Sequence, residues 1–191
     1  MIEVEVKLPL YRRSLTEKAL LNLGFEAGDL VRESDLYFNS DFHDFIKRDE
    51  ALRIRTCENL TQRTCQVFLT YKGRKLDSVS MTRKELETSI GDGKIGMEIL
   101  KSLGYDKTFP VNKLRQLYHK DHITACVDQV EKLGSFLELE VLIDQESERE
   151  RALEQIREIL EAAGSSMDET TRVSYLGMLM RKSGEYSGSI E

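Results

Sequence analysis

The sequence contains no tryptophan, two prolines and three cysteines, Cys57, Cys65 and Cys126, none of them in a C-x-x-C pair. An odd number of widely spaced cysteines argues against a disulfide framework or a zinc site and favours reduced thiols. No stretch approaches the roughly 20 consecutive apolar residues that cross a bilayer, and the first residues lack the basic and then apolar segments of a signal peptide. We therefore expect a cytoplasmic protein that does not associate with membranes.

The chain also lacks any internal segment rich in proline, glycine or serine that would divide it into domains. With 40% hydrophobic and 32% charged residues, its 191 residues suit one folded domain. We expect a single domain over residues 1–182 and a disordered tail over 183–191. The net charge of −6 disfavours nucleic acid and anionic membranes as partners, so any polyanion must meet a local basic site.

Strict alternation of apolar and polar residues over 2–8 predicts the first strand. Comparable runs joined by turn-like segments predict further strands in an antiparallel arrangement, near 33–38, 51–57, 65–72, 80–88, 111–119, 122–128 and 135–143. Helical periodicity predicts four helices, at about 14–23, 95–103, 147–163 and 172–181. Capping boxes formed by Ser14 with Glu17 and by Ser147 with Glu150 are expected to begin the first and third helices.

Charged side chains recur at two-residue intervals on five of these strands, so each set lies on one face of its strand. One such pair is usually a solvated face, but here the pattern repeats too often for that interpretation. With Lys72 and Asp128 near the ends of their strands, the basic set is Lys7, Arg53, Arg55, Lys72, Arg83, Lys113 and Arg115. The acidic set is Glu3, Glu5, Glu85, Glu87, Asp128, Glu138 and Glu140.

Eight antiparallel strands can close into a barrel whose interior holds side chains or one small ligand. We expect an α+β fold, a closed eight-stranded antiparallel β-barrel covered by amphipathic helices, with charged faces inward and apolar faces outward. Buried charges are tolerated when they are paired or bound to a ligand, so the ligand should be charged. Basic side chains recognise phosphate and clustered carboxylates bind Mg²⁺ or Mn²⁺, so a lumen of both signs suggests a metal triphosphate.

Ordered sequence blocks through nearly the whole chain resemble the CYTH family of triphosphate tunnel enzymes, which includes class IV adenylate cyclases and thiamine triphosphatases. The family's E-x-E-x-K signature stands at residues 3–7 and its D-x-Y-F segment at 35–38. Further blocks resembling the family lie at 51–55, 69–73, 83–87, 113–115, 133–140 and 172–175. Each block is a weak signal alone, whereas the ordered set is specific.

The resemblance implies a role for each charged position, and phosphoryl chemistry itself asks mainly for positioning and charge neutralisation. One or two divalent metals, Mg²⁺ or Mn²⁺, would be held by Glu3, Glu5, Asp128, Glu138 and Glu140. The triphosphate would be bound by Lys7, Arg53, Arg55, Lys72, Arg83, Lys113 and Arg115. The catalytic residues would be Lys7, Glu85 and Glu87, although the two glutamates could orient a nucleophile, bind metal or pair with arginines. Arg172 would reach in from the last helix.

By the same resemblance, the expected activity is that of a class IV adenylate cyclase, which makes cyclic AMP and pyrophosphate from ATP. One alternative is hydrolysis of inorganic tripolyphosphate or thiamine triphosphate, because the same metals and cations serve both reactions. Another is a non-catalytic polyphosphate-binding module, and an RNA 5′-triphosphate binder is a third. The expected partner is a small triphosphate rather than nucleic acid, and a homodimer is compatible with the sequence.

Overall fold

The computed structural model describes residues 2–76 and 81–184 of the chain. Its strands are β1 (Ile2–Pro9), β2 (Glu26–Asn39), β3 (Ala51–Asn59), β4 (Thr64–Lys75), β5 (Arg83–Ser89), β6 (Lys107–Lys120), β7 (Ile123–Val130) and β8 (Gly134–Ile143). Its α-helices are α1 (Arg13–Asn22), α2 (Gly93–Ser102), α3 (Arg149–Ala162) and α4 (Tyr175–Ser183). Of the predicted tail over 183–191, residues 185–191 lie outside the described part of the chain.

The strands form one antiparallel sheet in the order β1-β8-β7-β6-β2-β3-β4-β5. The predicted α+β class and antiparallel pairing are confirmed, but closure of the barrel is wrong, because the sheet curls into an open half-barrel with β1 and β5 as its edges. Near the gap, the Met81 N–H donates to the carbonyl oxygen of Glu5 at 2.9 Å. Glu3 and Glu5 of β1 and Glu85 of β5 bring carboxylates to both edges. Burial, then Glu5 and to a smaller extent Glu85, raise the pKa of Glu3, whereas Lys72 lowers it. Such like charges oppose a continuous ladder between the two edges.

The pairing register brings charged residues of neighbouring strands side by side on the concave face. Glu5 pairs with Glu140 and Lys7 with Glu138 across β1 and β8. The same holds further along the sheet for Arg115 with Asp128, Lys113 with Glu33, Arg55 with Asp35, and Lys72 with Glu85. Because side chains alternate across a strand, the intervening apolar residues point to the convex face.

The convex face of β1, β7 and β8 carries the main hydrophobic core. Val6 and Leu139 are buried there against Leu20 of α1 and against Ile156 and Leu160 of α3. Two amphipathic helices thus cover the apolar side of these strands, as the inward orientation of the charges requires. The helices therefore hold the charged face of β1 and β8 in a fixed position.

Both predicted capping boxes are wrong. The N-cap of α1 is Arg12, which makes no side-chain capping bond, and Glu17 pairs instead with Arg13 at 2.9 Å. A 3₁₀ turn (Glu146–Glu148) precedes α3, and the capping box there is formed by Gln145 and Glu148. Neither α1 nor α3 therefore has a side-chain cap at its own N-terminus.

The last helix begins three residues later than predicted, at Tyr175. The Ser174 hydroxyl caps it by accepting from the Gly177 N–H at 3.1 Å. The segment before the cap is tied to the first strand, since the Thr171 N–H donates to the Lys7 carbonyl oxygen at 2.7 Å. This link places the start of α4 against the concave face of the sheet.

The structure also bears on the expected reduced thiols and on the expected lack of a membrane-spanning segment. All three cysteines are free thiols; Cys126 is buried and Cys65 is exposed. Within the described ranges, every helix is too short or too polar to span a lipid bilayer.

Candidate active site

The concave face of the sheet lines a cavity of about 270 Å³. All of the predicted site residues except Asp128 and Arg172 contribute to its wall: Glu3, Glu5, Lys7, Arg53, Arg55, Lys72, Arg83, Glu85, Glu87, Lys113, Arg115, Glu138 and Glu140. They come from six different strands that the curled sheet brings together. The charged residues that recur at two-residue intervals along separate strands thus meet at one cavity.

Three carboxylates gather at the β1 and β8 side of the cavity. Oxygen atoms of Glu3, Glu5 and Glu140 lie within 4.8 Å of one another. Burial, and after it the charge of Glu3, raises the pKa of Glu140 to about 8. Burial and the charge of Glu5 likewise raise the pKa of Glu3 to about 7. Without a cation, these three carboxylates resist full ionisation. Because carboxylate oxygens are hard donors, the cluster fits a divalent cation such as Mg²⁺ or Mn²⁺.

Glu138 and Asp128 lie outside this carboxylate cluster, although both were predicted metal ligands. Glu138 pairs with Lys7 at 3.0 Å and with Arg115. Burial disfavours its ionisation, yet these two cations hold the pKa of Glu138 well below its ordinary value. Asp128 is fully buried and accepts from Arg115 Nε and Nη2, at 2.7 Å each, and from Lys113 Nζ at 3.1 Å. In this structure both carboxylates are counter-ions of the basic side chains.

Two acidic residues of β2 that the sequence interpretation missed serve the arginines in the same way. Asp35 accepts from Arg55 Nε at 2.7 Å and Nη2 at 2.8 Å, and from Arg53 Nη1 at 3.3 Å. Glu33 lies 2.9 Å from Arg55 and 3.1 Å from Lys113. Their E-x-D spacing repeats the two-residue pattern of the other strands and would have identified them. These pairs fix the arginine side chains before any ligand binds.

One arginine donor in this group is left without an acceptor. Arg53 Nε is buried and has no hydrogen-bond partner among the described residues. Buried donors are nearly always paired in folded proteins, so such an atom at a cavity wall indicates a ligand acceptor. An anionic oxygen in the cavity would satisfy it.

The β4 and β5 side of the cavity holds the remaining predicted residues. Lys72 pairs with Glu85 at 2.7 Å, and the Thr70 hydroxyl donates to Glu87 at 2.8 Å. Arg83 donates to the Gly73 carbonyl oxygen at 3.3 Å. Neither glutamate therefore lacks a partner here.

A further cation, Lys75, was missed by the sequence interpretation and pairs with Asp49. Burial, and to a smaller extent the charges of Arg83 and Arg172, lower the pKa of Lys75. Arg172 precedes α4 and is close enough to Lys75 to affect it, while its predicted role at the triphosphate stays a prediction. Arg83 also lies 3.8 Å from Asp49, so Lys75 and Arg83 share this carboxylate.

One part of the cavity wall is apolar and was also missed, because no motif marks it. The side chains concerned are Ile46, Ala51, Met81, Leu176 and Met180. They come from the β2–β3 loop, the start of β3, the residues before β5, and α4. A charged cavity with an apolar section suits a ligand with both a polyanionic and an organic part.

Comparisons with known proteins agree with this geometry. The model of the CYTH domain family matches residues 1–175. A Methanocaldococcus jannaschii protein, whose name is that of a proposed adenylate cyclase, is 41% identical over 176 residues, covering 92% of this chain and 97% of that protein. The adenylate cyclase CyaB of Aeromonas hydrophila is 24% identical over 144 residues, covering 75% of this chain and 70% of that one. A solved structure from Pyrococcus horikoshii superposes with a TM-score of 0.85 and 36% identity, covering 94% of this chain and 99% of that one.

Proposed function

The chain belongs to the CYTH family, and from this we propose that it is a divalent-metal-dependent enzyme that converts ATP to cyclic AMP and pyrophosphate. The observation that carries the proposal is one cavity in which the carboxylate cluster of Glu3, Glu5 and Glu140 lies beside a set of ordered basic side chains. Carboxylates alone would repel a triphosphate, and cations alone would bind it without placing a metal. The combination suits a metal triphosphate.

In this proposal Glu3, Glu5 and Glu140 hold Mg²⁺ or Mn²⁺, and the metal supplies charge neutralisation at the phosphates. The triphosphate is bound by Lys7, Arg53, Arg55, Lys72, Arg83, Lys113 and Arg115. Asp128 and Glu138, which the sequence resemblance assigned to the metal, are proposed instead to hold these cations in place. Lys7, Glu85 and Glu87 remain the predicted catalytic residues, acting by orientation and charge rather than by covalent chemistry.

The apolar section of the wall supports an organic triphosphate over inorganic tripolyphosphate. Met81, Leu176 and Met180 cannot pair with phosphate oxygens, whereas they can contact a flat heterocycle. In the cyclase reaction the ribose 3′ oxygen attacks the α-phosphorus, the bond to the bridging oxygen breaks, and pyrophosphate leaves. In hydrolysis water attacks the γ-phosphorus instead, and orthophosphate is the product.

Product analysis tests the proposal. Purified protein is incubated with Mg²⁺ or Mn²⁺ and, separately, with ATP, tripolyphosphate and thiamine triphosphate, and the products are resolved by chromatography. We expect cyclic AMP and pyrophosphate from ATP. Orthophosphate without cyclic AMP would replace the proposal with a triphosphatase on the same site, and binding without turnover would replace it with a polyphosphate-binding module.

Arg55→Lys is expected to raise the KM for the triphosphate about tenfold and to change kcat less, because lysine keeps the charge but loses the planar pair of donors. Arg32→Lys is the matched control, since Arg32 is an exposed residue that pairs with Glu58 on the surface. Steady-state kinetics on both variants measures the difference. An unchanged KM in Arg55→Lys would remove Arg55 from the binding set.

We also propose that two copies form a homodimer through one exposed side of α2. None of the ten residues of α2 is buried, and Ile95, Ile99 and Leu103 are 52%, 54% and 63% exposed at four-residue intervals. Charges of both signs flank this stripe, including Glu98 and Lys101, which can pair with each other across a two-fold axis.

Light scattering coupled to size exclusion tests the homodimer. We expect a dimer for the wild type and a monomer for Ile99→Glu. Leu15→Glu, which alters an exposed leucine of α1, should leave the dimer intact. A monomeric wild type would contradict the interface.

The cytoplasmic location and the lack of nucleic-acid binding remain predictions.

A further inference from the structure

Tyr175, the first residue of α4, contacts two of the cavity's lysines at once. Its ring centroid lies 4.2 Å from Lys7 Nζ and 5.3 Å from Lys113 Nζ. Lys7 belongs to β1 and Lys113 to β6, with β8 and β7 between them in the sheet. Tyr175 is 7% exposed and forms part of the cavity wall. One aromatic side chain thus joins basic residues from separate parts of the half-barrel.

Several contacts fix the position of this ring. The Tyr175 hydroxyl donates to Asp128 Oδ2 at 2.9 Å. The Phe136 ring meets it edge-on, with centroids 5.1 Å apart and planes at 68°. The bond from Thr171 N–H to the Lys7 carbonyl oxygen and the Ser174 cap hold the backbone on either side. The ring therefore has little freedom to leave the lysines.

A ring face and a carboxylate hold a lysine in different ways. Glu138 attracts Lys7, and Asp128 and Glu33 attract Lys113, but each of these partners also cancels part of the charge that a phosphate would meet. The face of an aromatic ring attracts a cation through its quadrupole and carries no net charge. It can therefore orient an ammonium group and leave its positive charge available to an anion.

We propose that Tyr175 is a positioning residue for the triphosphate site, whose ring holds Lys7 and Lys113 towards the bound phosphates. This inference rests on the proposed function, because it assumes that these lysines meet phosphate. The C-terminal segment 171–175 then completes the binding site, although it lies outside the sheet that carries every cation of the proposed set. Tyr175 itself takes no part in bond making or breaking.

Two substitutions separate the ring from the hydroxyl. Tyr175→Phe keeps the ring face and loses the bond to Asp128, which retains Arg115 and Lys113 as partners. Tyr175→Leu keeps an apolar side chain and loses both interactions. Val130→Ala is the matched control, because Val130 is buried in the same hydrophobic cluster but bears no aromatic ring. All three variants are first checked by thermal melting, so that affinity is compared between folded proteins.

Calorimetric titration with tripolyphosphate in a Mg²⁺ buffer gives the first readout. We expect the Kd to rise about tenfold in Tyr175→Leu and to stay within about threefold of wild type in Tyr175→Phe, since the two cation–π contacts persist there. Val130→Ala should bind as the wild type does. Unchanged affinity in Tyr175→Leu, or an equal loss in Val130→Ala, would overturn the positioning role.

A second readout needs no ligand. The ring current of Tyr175 should shift the Hε signals of Lys7 and Lys113 upfield in the NMR spectrum of the wild type and of Tyr175→Phe, but not of Tyr175→Leu. Absence of the shift in the wild type would overturn the contact itself. If the shift is present but the wild type binds neither tripolyphosphate nor ATP, the proposed function fails and the positioning role fails with it. A loss of affinity confined to Tyr175→Leu supports the positioning role.

Discussion

Glu140→Gln is expected to abolish metal-dependent turnover and, at the same time, to stabilise the metal-free protein by about 2 kcal/mol at pH 8.5. The two effects have one cause. Burial disfavours the charge of Glu140, and oxygens of Glu3 and Glu5 lie within 4.8 Å of its own, so this charge is needed to bind a cation and is unfavourable without one. Glutamine keeps the shape of the side chain and removes the charge.

The pH dependence of stability follows from the same cluster. Glu140 and Glu3 have folded-state pKa values of about 8 and about 7, above the ordinary value of 4.5. The folded protein therefore binds more protons than the unfolded chain between about pH 4.5 and pH 8, and the stability of the metal-free protein falls as the pH rises through this window. Glu138 and Asp35 have lowered pKa values, so they affect stability in the opposite direction. They stabilise the folded protein above the acid range, and this stabilisation is lost as the pH falls through it.

Denaturant unfolding from pH 5.5 to 8.5, with and without Mg²⁺, measures these effects. The wild type should lose stability as the pH rises and regain it with Mg²⁺, while Glu140→Gln should show a flatter profile and a weaker response to the metal. Glu161→Gln, an exposed position on α3, is the control and should follow the wild type. Wild-type turnover in Glu140→Gln would contradict the metal assignment.

Asp128→Asn is expected to lower the free energy of unfolding by about 3–5 kcal/mol even without metal, because it removes the carboxylate that the buried Arg115 and Lys113 share and leaves Glu138 and Glu33 as their closest counter-ions. Asp128 is fully buried and holds Arg115 through two bonds, Lys113 through one and the Tyr175 hydroxyl through another. Asparagine cannot compensate these charges. The exposed pair of Arg32 and Glu58 provides the comparison, and Glu58→Gln should cost at most about 1 kcal/mol.

Urea unfolding of the metal-free proteins distinguishes the two roles of Asp128. If Asp128 anchors the cations, the loss of stability is present without metal. If instead the metal-free stability is unchanged and only Mg²⁺ affinity falls, Asp128 is a metal ligand, as the sequence resemblance implied, and the structural assignment is wrong.

Alternation along each strand carried most of the information about the site. Because the side-chain period of a strand is two, residues such as Glu3, Glu5 and Lys7 had to share a face whatever the register of the sheet. The sequence could therefore predict which face is charged and that helices cover the other. The same rule applied to β2 would have found Glu33 and Asp35, so their omission was not a limit of the sequence.

Other features depend on contacts between distant segments, which spacing does not contain. An aspartate can bind a metal or pair with a basic side chain, and the sequence does not distinguish these roles for Asp128. Its contacts with Arg115 and Tyr175 show that it accepts hydrogen bonds from protein side chains. Closure of the barrel depends on how two edge strands that carry like charges approach each other. Likewise, the apolar wall joins Met81 to Met180 of α4, residues about a hundred positions apart in the chain.

Binding of tripolyphosphate, measured by calorimetry with and without Mg²⁺ for the wild type and Glu140→Gln, tests the central claim most directly. A cavity that combines ordered cations with a three-carboxylate cation site should bind the triphosphate in the wild type and bind it more tightly with Mg²⁺. In Glu140→Gln the enhancement by Mg²⁺ should be lost. Absence of binding, or binding that Mg²⁺ leaves unchanged in the wild type, would contradict a metal triphosphate site on this sheet.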